Sequence, residues 1–131
     1  MVRHSGLYVS APMGPAGQPD YVNAVAGLLT RLEPDRLLDA LQAVEADHGR
    51  TRGQERWGPR TLDLDIIAMG QIELETPRLT LPHPGAHRRN FVLVPLADIA
   101  PDYWLPGHGR VGMLAAAAGE RGLGRLAKRA T

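Results

Sequence analysis

With 131 residues, 44% of them apolar and 22% charged, the chain has the size and mix of one soluble globular domain able to bury a core. A net charge of +1 excludes bulk attraction to nucleic acid or to a membrane surface, so any basic site must be local. Absent cysteine excludes disulfides and thiolate metal sites and is compatible with the cytoplasm. No apolar run approaches the roughly 20 residues of a membrane span, and Met1, Val2, Arg3, His4 lacks a signal-peptide pattern. The expected location is cytoplasmic.

Taken in order, His4–Ser10 predicts a short strand through Leu7, Tyr8 and Val9. Residues 11–20, rich in Pro and Gly, must be a loop, and loops of this length are often functional. Tyr21–Leu29 returns to strand-compatible residues, with Tyr21, Asn23, Val25 and Gly27 on one face and Val22, Ala24, Ala26 and Leu28 on the other. Tyr21 and Asn23 on one face can stack on a flat heterocycle and read its edge, although an edge-strand tyrosine beside a solvated asparagine is the commoner reading. Glu33, Pro34 and Asp35 predict a helix start, Leu37, Leu38, Leu41 and Val44 its apolar stripe, and Gly49 its stop. Gln42 and Glu45 share a face of that helix, open either to a nucleotide or to solvent.

Arg50, Arg52 and Arg56 follow in a basic segment that either closes over polyphosphate or is an ordinary solvated loop. It leads into Trp57, Arg60 and then Leu62–Ile67, where Leu62, Leu64 and Ile66 alternate with Asp63 and Asp65. That period is the period of a strand with one dry face, so both carboxylates project from the other face. They are either the wet face of an antiparallel strand or oxygen ligands suited to magnesium, with arginine forks and an indole beside them for a nucleotide. Gly70 and Gln71 predict a turn, and Ile72–Leu74 and Leu79–Leu81 a pair of short strands. Arg78 and Thr80 alternate with Leu79 and Leu81, and Pro82, His83 and Pro84 then precede Gly85–Phe91, a second loop dense in phosphate-binding groups such as His87, Arg88, Arg89 and Asn90. Zinc at His83 and His87 is rejected, because Pro84 and Gly85 oppose a helix there and no third ligand is evident. Phe91–Ile99 predicts a buried helix containing Pro95, and Pro101–Gly109 a loop with Trp104 as a packing residue. Met113–Ala118 predicts a short helix and Gly122–Thr131 a loosely held basic tail.

The run Arg56, Trp57, Gly58, Pro59, Arg60, Thr61, Leu62, Asp63, Leu64, Asp65, Ile66 resembles the signature of the 6-hydroxymethyl-7,8-dihydropterin pyrophosphokinases of folate biosynthesis. Gly14, Pro15, Gln18, Pro19, Asp20, Tyr21, Asn23, then Glu45, Gly49, Arg50, then Leu81, Pro82, His83, Pro84, Arg89, Phe91, Pro95, Leu96 resemble the family in the same order. The resemblance implies one α+β domain over 1–131, with a ferredoxin-like antiparallel sheet covered by helices. It implies pyrophosphoryl transfer from MgATP to the pterin hydroxymethyl, releasing AMP. Asp63 and Asp65 would hold two magnesium ions, and Arg50 and Arg60 would be catalytic with them. Gln42, Glu45, Arg52, Trp57, Ile66, Arg78, Thr80, His83 and Arg89 would line the ATP site. Ser10, Ala11, Met13, Tyr21, Asn23 and Phe91 would bind the pterin. The partners implied are these small molecules, with no nucleic acid and no membrane.

Members of the family begin with a strand, a glycine-serine-asparagine turn and a helix before the counterpart of His4–Ser10. The resemblance therefore implies a sheet whose first β-α unit is missing, exposing backbone groups that cost about 1 to 3 kcal/mol each when left buried and unpaired. A start set too late is the preferred account, since the downstream site residues are all in place. Such an enzyme would be a monomer when complete and open to strand-pairing association when truncated. The alternatives are an impaired fragment that binds nucleotide or a partner strand, and a different two-metal phosphoryl enzyme such as a nuclease.

Overall fold

The computed structural model describes residues 3–10, 21–51 and 62–125. The expected loop over 11–20, most of the arginine segment and the last six residues lie outside that set. The chain divides into two compact units, one of Met1–Leu29 with Pro84–Thr131 and the other of Thr30–His83. Both mix helices with small antiparallel sheets or strand-like chain, so the class is α+β.

In the first unit, β1 (Arg3–His4) pairs with β4 (Ala26–Gly27), and β2 (Tyr8–Ser10) lies between β3 (Tyr21–Asn23) and β9 (Leu123–Arg125). Tyr8 stands opposite Asn23, Val9 opposite Val22 and Ser10 opposite Tyr21. The alternation read from 21–29 holds: Asn23, Val25 and Gly27 are half-buried, whereas Val22, Ala24, Ala26 and Leu28 are exposed. Buried Ser5 ties the two strand pairs together, its hydroxyl donating to the Gly6 carbonyl (2.7 Å) and accepting from the Val25 N–H (2.9 Å). A buried hydroxyl with both roles filled carries no desolvation penalty.

Helix α2 (Asn90–Ile99) packs against α3 (Val111–Ala118) and beneath β2. Tyr8, Leu93, Val94 and Ala115 form the core, with Ala97, Leu114 and Leu123 against them. Pro95 sits inside α2 and is buried. The tyrosine hydroxyl escapes this apolar setting by donating to Asp98 Oδ2 at 2.5 Å. Gly112 lets α3 approach closely: its N–H donates to the Pro101 carbonyl at 2.8 Å, and a Cβ there would lie 3.0 Å from that oxygen.

The segment expected to be a plain loop holds a hairpin of β7 (Trp104–Leu105) and β8 (Gly109–Arg110). Gly107 and Gly109 take positive φ, which turns the chain tightly enough to pair. Trp104 is not a packing residue; it is 58% exposed, because Leu105 takes the inward place beside it. The tail expected to be loose supplies β9, whose ladder with β2 satisfies its backbone.

In the second unit, α1 (Pro34–Thr51) begins where Pro34 and Asp35 place it, and Leu37 N–H donates to the Glu33 carbonyl at 2.9 Å. Gly49 does not stop it. The helix runs two residues further, since one glycine costs only about 1 kcal/mol in a long helix. Leu37, Ile66 and Leu81 form the core, flanked by Leu38, Leu41, Met69, Leu74 and Leu79. Val44, expected in the apolar stripe, is 49% exposed because that core lies against the earlier turns of α1. Strands β5 (Leu74–Glu75) and β6 (Thr80–Leu81) pair as a hairpin, with the turn closed by Thr76 and Leu79.

The aspartate stretch departs from expectation in one respect. Leu62–Ile66 keeps the period-two burial of a strand but belongs to no ladder among the described residues. Its backbone is held by a helix side chain and by His83, as set out below. Leu93 is fully buried at the centre of the first core, so Leu93→Ala is expected to destabilise the fold by about 2 to 5 kcal/mol, read as a lowered urea midpoint.

Candidate active site

The unit Thr30–His83 carries the acidic part of the candidate site. Asp63 and Asp65 are both exposed, while Leu62 and Leu64 are half-covered and Ile66 is 7% exposed in the core. The dry face is thus anchored, and both carboxylates are turned outward together. Glu45 on α1 accepts the Leu64 N–H through Oε2 at 2.5 Å. Three residues beyond Leu64, the Ile67 carbonyl accepts the His83 N–H at 2.8 Å. These two bonds fix the stretch on either side of Asp65.

Gln42 lies one turn before Glu45 on α1, exposed, and its Oε1 is 3.4 Å from an Arg78 guanidinium nitrogen. Arg78 also forms an ion pair with Asp39, three residues before Gln42 on the same helix. Arg78 comes from the β5–β6 turn, so the hairpin delivers its charge to one face of α1. Thr80 and His83, both half-buried, follow along the same strand and its exit. Asp39 was not foreseen as part of this group. Its i, i+3 spacing from Gln42 was visible, but its partnership with Arg78 spans 39 residues of sequence and has no local signal.

The unit of Met1–Leu29 with Pro84–Thr131, taken by itself, carries the aromatic candidates. Asn23 is half-buried on the same side of the sheet as its cross-strand neighbour Tyr8, and Ser10 and Tyr21 are opposed two register positions along. Phe91 is half-buried in the first turn of α2, and the Arg89 guanidinium lies over its ring at 5.9 Å, near the outer limit of a cation–π contact. Arg89 Nε also approaches the position a Gly85 Cβ would take, at 3.4 Å. Gly85 has φ 81°, which lets the chain turn back and bring Arg89 over the ring. Arg50 lies in the last turn of α1. Ala11, Met13, Arg52, Trp57 and Arg60 lie outside the described residues.

Close to Arg89, the rings of His87 and His108 stack with centroids 3.8 Å apart and planes within 5°. His87 Nδ1 is buried without a hydrogen-bond partner. Burial first, then the charges of His108 and Arg88, hold the His87 imidazole below its ordinary value. Sequence reasoning points to His87 alone of this pair, in the phosphate-binding loop and with His83 as a rejected zinc site, and the stacking partner His108 carries no sequence signal.

Magnesium keeps several waters and takes one or two carboxylates plus phosphate oxygens. Two exposed carboxylates on one anchored face fit that donor set. Among the described residues no group of three or more His, Asp or Glu side chains could enclose an ion within protein alone. Also among them, no helix is long and apolar enough to cross a membrane.

An α+β fold that exposes two carboxylates together and holds a guanidinium against α1 presents groups of the kind that suit phosphate-bearing ligands. Comparison with known proteins makes the assignment specific. A model of the 7,8-dihydro-6-hydroxymethylpterin-pyrophosphokinase family matches residues 1–101. The 2-amino-4-hydroxy-6-hydroxymethyldihydropteridine pyrophosphokinase of Pseudomonas aeruginosa is 53% identical over 126 residues, which cover 96% of this chain and 77% of that protein. The protein of the same name from Haemophilus influenzae is 53% identical over 106 residues, covering 81% of this chain and 66% of that one. That from Synechocystis is 52% identical over 108 residues, covering 82% and 54%. The chain therefore spans between about half and three quarters of the length of these relatives, and it belongs to the 7,8-dihydro-6-hydroxymethylpterin-pyrophosphokinase family.

The His87 arrangement gives stability a defined pH dependence. An unfolded histidine titrates near 6.5, whereas folded His87 binds its proton more weakly. Protons therefore favour the unfolded chain. The stabilisation is complete above the unfolded value and is lost as pH falls toward the lower folded one. His87→Phe keeps a flat ring for the stack and removes the titration, so urea unfolding from about pH 7 to pH 5 should show a shallower acid-side loss than in the native sequence.

Proposed function

We propose that this chain catalyses the reaction for which its family is named, with MgATP as donor and 6-hydroxymethyl-7,8-dihydropterin as acceptor. The observation that carries this reading is the pair Asp63 and Asp65, exposed together on a segment anchored to α1, in a chain of that family. The pterin hydroxymethyl oxygen bonds to the β-phosphorus, the bond from that phosphorus to the α–β bridging oxygen breaks, and AMP leaves. The hydroxyl proton passes to solvent, and no protein general base is required.

Asp63 and Asp65 would hold two magnesium ions, which supply charge neutralisation along the triphosphate. Arg50 and Arg60 would steady the phosphates through the transition state, with Arg52 closing over them. Gln42, Trp57, Ile66, Arg78, Thr80, His83 and Arg89 would contact the nucleotide. Tyr21 and Phe91 would take the flat pterin between them, Asn23 would bond its edge, and Ser10, Ala11 and Met13 would complete that pocket. For Arg89 this requires only that its guanidinium leave the Phe91 ring, a weakly held position worth about 0.5 to 1 kcal/mol at an exposed site. The bacterial relatives and the lack of cysteine support a cytoplasmic location.

Incubation with MgATP and the pterin should release AMP and the pterin diphosphate in equal amounts. No AMP from a folded sample would overturn the assignment, and phosphate-ester cleavage without pterin would redirect it to a nuclease. Asp63→Asn and Asp65→Asn are each expected to lower kcat by about 100-fold or more, the loss that follows removal of one electrostatic element in such a site.

A further inference from the structure

In the period-two stretch from Leu62 to Ile66, Leu64 stands between the two outward carboxylates and its own side chain is half-covered. In a segment of that period the amide points sideways, toward where a neighbouring strand would offer a carbonyl. Among the described residues no strand is laddered to it. The acceptor is instead Glu45 Oε2, at 2.5 Å. A backbone N–H donating to a carboxylate makes a charge-assisted bond, roughly twice as strong as a neutral one.

Glu45 is well placed to act as a fixed anchor. It sits on α1, whose Leu37, Leu38 and Leu41 pack with Ile66 and Leu81, so the helix that carries the carboxylate and the stretch it grips share one core. Ile66 pins the far side of Asp65, and the Leu64 amide pins the backbone between Asp65 and Asp63. Without that second point, rotation of the peptide between the two aspartates would let their carboxylates diverge.

We propose that Glu45 is a positioning residue for the Asp63 and Asp65 carboxylates: by holding the Leu64 amide it sets their spacing for a divalent cation. The inference rests on the magnesium reading of that pair, and it places Glu45 behind the metal ligands instead of against the nucleotide. A carboxylate used this way leaves its effect on metal affinity, while a nucleotide contact would leave it on metal-free nucleotide affinity.

The test is titration of Mn²⁺, followed by its EPR signal, into protein saturated with α,β-methylene ATP. Glu45→Ala is expected to weaken Mn²⁺ binding by about 10- to 100-fold, the range for removing a group that orients a metal ligand. Glu45→Gln still offers an oxygen to the Leu64 N–H and should bind Mn²⁺ close to wild type. Amide hydrogen exchange reads the same contact without metal or turnover, with Leu64 slowed in wild type and Glu45→Gln and released in Glu45→Ala. If Glu45→Ala does not fold, Glu45→Asp replaces it, since a carboxylate shorter by one methylene is drawn away from the amide and should show the same loss. Wild-type Mn²⁺ affinity in either folded variant overturns the inference. So does an equal loss of metal-free nucleotide affinity, which would make Glu45 a direct nucleotide contact. Failure of the wild type to form AMP would remove the proposed reaction but leave these readouts intact, so the two failures are distinguishable.

Discussion

A stretch of chain with alternating burial and no laddered neighbour must have its backbone groups satisfied by something other than a sheet, or pay about 1 to 3 kcal/mol for each buried group left unpaired. In residues 62–69 helix α1 and the His83 amide do this, through the Glu45 carboxylate and the Ile67 carbonyl. The core of Leu37, Ile66 and Leu81 sets the depth of the stretch, and the two polar contacts set its position. Two exposed aspartates gain a defined geometry because everything behind them is fixed. The same helix receives Arg78, so one element carries the contacts that place the aspartate pair and a guanidinium.

The Arg78–Asp39 pair illustrates how energy and geometry separate. Both side chains are about half exposed, and such a pair contributes roughly 0 to 1 kcal/mol to stability. Its importance is directional: it holds a long, rotamer-rich side chain beside Gln42, and a side chain already held has less ordering left to lose in any further contact. The His87–His108 stack is the reverse case. It brings no ligand-binding group forward, yet it keeps a buried, unpartnered nitrogen next to the turn that aims Arg89.

What could be read in advance was whatever depends on a segment's own periodicity. The outward direction of Asp63 and Asp65, the covered side of Asn23, and the start of α1 at Pro34 all follow from local spacing. What depends on a distant partner could not be read. The aspartate stretch looked like a paired strand because period-two burial reports a face, and a ladder needs a second segment. Leu123–Arg125 looked like loose tail because nothing in it announces β2. Val44 and Trp104 were misjudged because apolar character does not say whether a neighbour covers it. Of the site residues, Asn23, Gln42, Glu45, Asp63, Asp65, Ile66, Arg78, Thr80, His83, Arg89 and Phe91 have described surroundings, and the roles given to them rest on chemistry and family membership.

The three-stranded sheet has an implication for how the chain is made. Its central strand, Tyr8–Ser10, is bonded on one side to residues that follow closely and on the other to Leu123–Arg125. On a ribosome the sheet cannot be completed until Leu123–Arg125 has emerged. Thr30–His83, continuous in sequence and with its own core, is available for folding long before. The aspartate stretch and its helix anchor therefore belong to the part that can mature early, while one edge of β2 waits for Leu123–Arg125 and is meanwhile open to pairing with the wrong partner.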